Sequence, residues 1–509
     1  MVSNTLTPAL PCPSAADESP ASPDTALHPI SPRLHNADLA PSRVEGRRWG
    51  AYSLFALWTN DVHNIANYTF AIGLFAMGMS AGQILAAMAL GATLVYLMMN
   101  LSGYMGQRTG VPFPVISRLS FGIRGAQLPA IIRAVIAIAW FGIQTYLASV
   151  VLHVLLAAVA PDLARYDHGS LLGLSGLGWA CFLAVWLAQL VILAYGMEMV
   201  RKFEGCAGPV ILITMLALAV WMVLRVDGRI AWSTGAAPTG LAAWNSVFSA
   251  AALWLSIYGT LLLNFCDFAR SAPSERSIRR GNFWGLPINI LVFAGISAVL
   301  AGAQFSIDGR VITSPADIVA AIPDKLFLVL GCLALLIVTL PVNLMANFVA
   351  PAFVLTNLAP RYLTFHRAGL ISATLAVLIL PWKIYGNPVV IVYFLSGLGA
   401  LLGPLYGIIM ADYWLIRKTR VHVPDLYTEA SAGTYFYARG VNPRALIALA
   451  PSATLAIVIA LAPGLEALAP YSWFLGAAVS GGLYWLISDR RRLHVHDAGE
   501  HLAVASGRH

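Results

Sequence analysis

The sequence predicts an all-α integral membrane protein with twelve transmembrane helices, and three observations predict it. Hydrophobic residues make up 59% of the chain and charged residues 11%, whereas an average soluble domain is about 25% charged. Apolar runs of about 20 residues, the length that crosses the hydrocarbon core as a helix, recur along most of the chain. Two of these runs are interrupted by polar residues and are separated in the way a five-plus-five inverted repeat separates its broken helices. Membrane barrels alternate apolar and polar residues, so the continuous runs exclude them.

Residues 1–48 are rich in Pro, Ser and Ala and lack an apolar stretch. They are expected to form a disordered cytoplasmic tail rather than a signal peptide or a span. The first six spans are expected near 51–76, 80–104, 126–158, 172–196, 205–225 and 243–268. The other six are expected near 283–304, 326–357, 369–386, 389–415, 445–463 and 470–488. A ten-helix core then covers 49–420, with repeats at about 49–226 and 242–416. A cytoplasmic loop and helices eleven and twelve occupy 421–488, and 489–509 form a second cytoplasmic tail.

The basic residues sort by this map. With both ends inside, the inner side collects Arg43, Arg47, Arg108, Arg118, Arg201, Arg276, Arg367 and Arg417 among others. The outer side holds Arg165, Arg225, Arg229, Arg310, Lys325 and Lys383. A missed helix would invert every later loop and scramble this asymmetry. The net charge of +8 therefore reads as contact with anionic lipid of the cytoplasmic membrane, not with nucleic acid. The cysteines show no paired spacing and read as packing residues, so no metal or cofactor is expected.

The first interrupted run is LWTNDVHNIANYTF, which puts Asn60, Asp61, His63, Asn64 and Asn67 in an otherwise apolar helix. Polar groups at membrane depth need a partner or a wet cavity. Asp61 and His63 form either a proton-handling pair or caps for the freed backbone. The sixth run, ALWLSIYGTLLLNFCDF, carries Ser256, Gly259, Thr260 and Asn264. In the third, Trp140 and Gln144 share a helix face at i and i+4. They form either a platform and amide for a flat heterocycle, or an interfacial Trp beside a Gln bonded to another helix. In the eighth, Asn343 and Asn347 repeat that spacing beside Pro341, a pattern that favours a site over helix glue. Asp267 and Asp412 lie near Arg270 and Arg417 and read as structural ion pairs. There is no Gly-rich phosphate loop with a following Lys, and HExxH and GxSxG are absent, which argues against a pump or an enzyme.

The same residues carry a family resemblance. NDVHNIANYTFAIGLF after Trp58, VPFPVISRLSFGIRG at 111–125, WFGIQTY at 140–146, LNFCDFAR at 263–270 and GPLYGIIMADYWLIRK at 403–418 occur in order. With DLY and YARGVN beyond them, the chain resembles the nucleobase:cation symporter-1 family from about Arg47 to Arg444. That family includes hydantoin, allantoin, uracil and cytosine permeases. The resemblance implies the inverted-repeat fold of sodium-coupled amino-acid transporters, with two trailing helices. It implies that Trp140 stacks on the substrate ring and that Gln144 and Asn347 hydrogen-bond its edge. Asn64 falls where the hydantoin member has a binding Gln, and Tyr258 falls where a second stacking Trp is usual.

For the cation, the resemblance places carbonyl ligands at Asn60, His63 and Val338 and hydroxyl ligands at Pro341 and Val342. The last two offer no side-chain oxygen, so proton coupling is expected over sodium, with Asp61 or His63 as carrier. The expected function is import of a flat ureide or nucleobase by alternating access. A same-fold carrier of thiamine or an amino acid, with Asp61 holding a cationic cargo, is one alternative; a membrane sensor or enzyme is another. Nothing in the sequence sets the oligomeric state.

Overall fold

The computed structural model describes residues 28–313, 315–320, 324–386, 397 and 399–488. Among them the chain is helical throughout, with short isolated bridges in place of strands. The expected tails at 1–27 and 489–509 and part of the tenth span lie outside the described residues.

The first expected span is two short helices, α1 (Ala51–Val62) and α2 (Ile65–Ala76), joined at His63 and Asn64. Then come α3 (Ala81–Thr109), α4 (Gln127–Val159), α5 (Gly176–Ala194) and α6 (Gly196–Arg225). The sixth span breaks at Tyr258, between α7 (Gly240–Ile257) and α8 (Gly259–Asn264). The rest are α9 (Glu275–Asp308), α10 (Lys325–Leu358), α11 (Phe365–Leu378), α12 (Gly399–Ile416), α13 (Pro443–Leu461) and α14 (Ser472–Ile487). Nine helices among the described residues are long and apolar enough to cross a membrane. The first, ninth and twelfth expected spans are shorter or broken, which is consistent with twelve crossings.

Local chemistry sets the ends. Ser80 and Gln83 form a reciprocal capping box at the start of α3, and Gly110 ends it with φ 71°, a left-handed conformation open to glycine. Asp324, Thr364 and Asn442 cap α10, α11 and α13. Two helices begin earlier than hydropathy suggests. α9 starts at Glu275, behind the Ser274 cap, and carries Arg276, Arg279 and Arg280 within its first turns. α6 starts at Gly196, with Glu198 and Arg201 paired at 2.6 Å. A hydropathy window registers only the membrane-buried stretch, and backbone hydrogen bonding continues past it.

Helix pairing is tight where glycine allows it. α1 packs on α6, α3 on α7, α4 on α10, and α12 on α14. A Cβ at Gly403 would sit 2.2 Å from the Trp473 carbonyl oxygen, so α12 and α14 meet backbone to backbone. Leucines and other large apolar side chains remain exposed along the helix exteriors, as a lipid-facing surface requires.

Residues 28–48 depart from the expected disordered tail. Leu34 and Leu39 are buried, and Asn36 donates to the carbonyls of Pro360 and Leu363 at 3.2 and 3.1 Å. Arg118, fully buried, donates to Leu34 O, Leu426 O and Asn357 Oδ1. The composition that suggests disorder hides a segment whose few apolar residues find a groove and whose backbone finds partners on other loops.

Candidate functional site

The break in the first span is held by its own side chains. Asn64 caps α2 through Asn67 N at 2.9 Å and donates to the Asp61 carbonyl at 2.6 Å. Asn67 donates to the carbonyls of Asp61 and Val62 at 3.0 and 3.1 Å. These bonds satisfy backbone that the broken helix frees in an apolar interior. Both polar groups of Asn64 are thereby engaged with backbone, where the family resemblance implies contact with substrate.

His63 and Asp61 do not pair. The His63 ring is fully buried, with Nδ1 2.7 Å from the Tyr68 hydroxyl and Nε2 3.1 Å from Asn289 Oδ1. Two residues apart at a helix end, the side chains leave on different faces, and the imidazole is anchored toward α2 and α9. Asn60 turns toward α6 and donates to Ala56 O, Glu204 O and Glu204 Oε2 at 2.8, 2.9 and 2.5 Å. Glu204 is buried, and its second oxygen has no partner. Its place in the stretch expected as a loop before the fifth span is why the sequence reading missed it.

The sixth span supplies Tyr258. Its ring is buried with its centre 5.5 Å from that of Trp254 and 6.3 Å from that of Trp58. Asp61 lies next to its hydroxyl, so the two broken spans meet here. Further along, Asn264 donates to Asp267 Oδ2 at 2.9 Å, and Asp267 Oδ1 accepts from Phe113 N at 2.6 Å. Arg270 instead donates to the carbonyls of Asp38 and Ala40. The ion pair expected at Asp267 is thus replaced by hydrogen bonds, whereas Asp412 and Arg417 do pair, at 3.3 Å.

The third wall comes from α4 and α10. Trp140 is partly buried, and Gln144, one turn on, has a buried side-chain oxygen without a partner. Opposite, α10 changes pitch. Pro341 lacks the N–H that would bond residue 337, and a π-helical turn follows over Asn343–Phe348. This turn faces α4. Asn343 Nδ2 lies 3.0 Å from Phe141 O, 3.0 Å from Thr145 Oγ1 and 2.8 Å from Gln189 Oε1, while Asn347 donates to Asn343 Oδ1 at 3.1 Å. Of the amide pair, Asn343 is glue between three helices and Asn347 is its dependant. Arg133, buried two turns before Trp140, donates to Ala346 O at 2.8 Å and to Asn264 Oδ1 at 3.1 Å. Val342 is buried and apolar, and Val338 lies in α10 with its side chain outside the described residues. Gln189 and Arg133 escaped the sequence reading, although each is a polar residue in an apolar run.

Two discontinuous spans packed against a polar helix face define a class: a multi-pass membrane protein built as a secondary transporter. Residues 41–476 match the family described as permease for cytosine/purines, uracil, thiamine and allantoin, and the chain belongs to that family. It is 35% identical over 468 residues to allantoin permease of Bacillus subtilis (strain 168), covering 88% of this chain and 92% of that one. It is 32% identical over 477 residues to purine-uracil permease NCS1 of Arabidopsis thaliana, covering 91% and 79%. Mhp1, a nucleobase-cation-symport-1 family transporter in a closed conformation with bromovinylhydantoin bound, shares the fold. Its TM-score is 0.72 at 24% identity, over 89% of this chain and 94% of its own. The protein is a membrane permease of this family, and not an enzyme.

Proposed function

We propose that the chain imports a flat ureide or nucleobase across the cytoplasmic membrane, coupled to protons rather than sodium, with both termini inside. The observation that carries the cargo reading is the α4–α10 wall, where α4 carries the partly buried Trp140 and Gln144, whose side-chain oxygen has no partner among the described residues, and the facing turn of α10 carries Asn347. Trp140 stacks on the ring, Gln144 and Asn347 read its edge, Tyr258 closes the opposite side, and Asn64 holds the break beside them. Kinship with the named allantoin and purine-uracil permeases supports the same class.

For coupling, Pro341 and Val342 remove the hydroxyl oxygens a sodium site would use, and hard cations need several oxygen ligands. Asp61 has no basic partner among the described residues and stands at the meeting point of the breaks, so it is the carrier. The carbonyls of Asn60, His63 and Val338 remain as the residual cation positions. His63 is engaged through both ring nitrogens and is the weaker carrier.

The test is initial-rate uptake of labelled allantoin, uracil, cytosine and hydantoin in a host without its own permeases. One cargo should accumulate, survive replacement of sodium by choline, and cease to accumulate when the proton gradient is dissipated. Strict sodium dependence would overturn the coupling reading, and accumulation of none of the four would overturn the cargo class.

A further inference from the structure

Two backbone carbonyls determine which way an amide deep in the α4–α10 wall must face. A carbonyl oxygen can only accept, so the Asn343 atom 3.0 Å from Phe141 O is its nitrogen. Gln189 is rooted in the same manner: its nitrogen is 3.3 Å from Val185 O, which turns its oxygen toward Asn343 Nδ2 at 2.8 Å. Thr145 adds a third constraint. Its hydroxyl donates to Phe141 O at 2.7 Å and is therefore an acceptor for Asn343 and Gln189 at 3.0 and 3.1 Å. With the nitrogen of Asn343 committed, its oxygen faces Asn347, and Asn347 must present its own nitrogen there, at 3.1 Å. A flipped Asn347 would set two carbonyl oxygens against each other in a buried site. Its oxygen is left on the other side, and among the described residues no group donates to it. The neighbouring Ala346 carbonyl is held by Arg133, so the turn is braced from both ends.

We propose that Asn343 and Gln189 are positioning residues that lock Asn347 with its carbonyl oxygen toward the cargo, so that the site demands a cargo N–H at that point. Gln144, whose oxygen has no partner among the described residues, is not held in this way. One edge contact is therefore fixed in polarity by its neighbours. This rests on the cargo class proposed above and narrows it to rings with an N–H on the edge facing α10.

Binding to purified, full-length protein by tryptophan fluorescence tests it. The probes are hydantoin, oxazolidine-2,4-dione (a ring oxygen replaces N1–H) and 3-methylhydantoin (no N3–H), with uracil and its 1-methyl and 3-methyl derivatives as a second series. In the wild type, loss of one particular N–H should weaken binding by about 100-fold or more, because a site built around a hydrogen bond rejects the analogue lacking it. In Asn343→Leu that ratio should fall to about 10-fold or less, since Asn347 can then turn, and in Gln189→Leu it should fall by a smaller factor, since Phe141 O still holds the Asn343 nitrogen. Equal weakening of parent and analogue in both variants, with the ratio kept, would show a merely structural role and overturn the proposal. So would a wild type that binds a parent ring and its analogues alike. If neither parent ring nor allantoin nor cytosine binds the wild type, the cargo class itself falls and this inference falls with it.

Discussion

At the break in the first span, Asn64 and Asn67 bond to backbone within six residues of themselves, whereas in α10 Asn343 bonds to groups on α4 and α5 and Asn347 bonds to Asn343. Both regions place amides in an apolar interior, and burial demands that each be satisfied. The first meets that demand locally, so its amides maintain the break. The second meets it across three helices and, among the described residues, leaves the Asn347 oxygen without a donor. Where local backbone has been freed, a short amide caps it; where the helix is continuous, the amide is available for a longer-range role.

The largest expected effect lies on the α4 side of this comparison. Trp140→Ala should lower uptake by about 100-fold, as loss of a stacking platform worth about 3 kcal/mol implies. Uptake within about threefold of wild type at equal expression would remove Trp140 from the site. Next, Asn347→Ala should weaken cargo binding by about 10-fold, the scale of one buried hydrogen bond, with a smaller change in melting temperature. Asn64→Ala should do the reverse: about 1 kcal/mol of stability lost with the cap, and binding changed by less than about threefold. A larger loss of binding than of stability in Asn64→Ala would give that amide the substrate contact the family resemblance implies.

The smallest effect lies outside both regions, in the loop before α13. Burial pushes the Asp425 carboxyl up, but hydrogen bonds from His422 and Thr434 outweigh it and hold it below the ordinary carboxylate range. A depressed folded pKa means the stabilisation is complete above the unfolded value and is lost as pH falls through the folded one. Melting temperature should therefore decline below about pH 4 by more in the wild type than in Asp425→Asn. Identical acid profiles would show that the loop contributes nothing to acid sensitivity.

The polar interruptions in the first and sixth spans were visible as letters in apolar runs, and both proved to be breaks. That Trp140 shares a helix face with Gln144, and Asn343 with Asn347, was legible too, since residues at i and i+4 lie on one face whatever the neighbours are. Their partners were not. Nothing near Asp61 or His63 tells that the imidazole turns to Asn289, 226 positions away, and leaves the carboxylate to Tyr258. Nor does Gln189 signal that it orients Asn343, 154 positions on. Glu204 was hidden because Arg201 and Lys202 beside it made the segment look like a loop.

By itself the sequence determined the membrane class, the helical fold, the family and the places where helices break, because these follow from hydropathy, short-range periodicity and contiguous motifs. The tertiary structure alone decided which polar groups answer each other. It separated Asp61 from His63, turned Asn64 inward on its own backbone, and seated residues 28–48 among distant loops. The physical reason is that a buried hydrogen bond is satisfied by whatever group lies within about 3 Å, and in a bundle of long helices that group is set by helix packing rather than by separation along the chain.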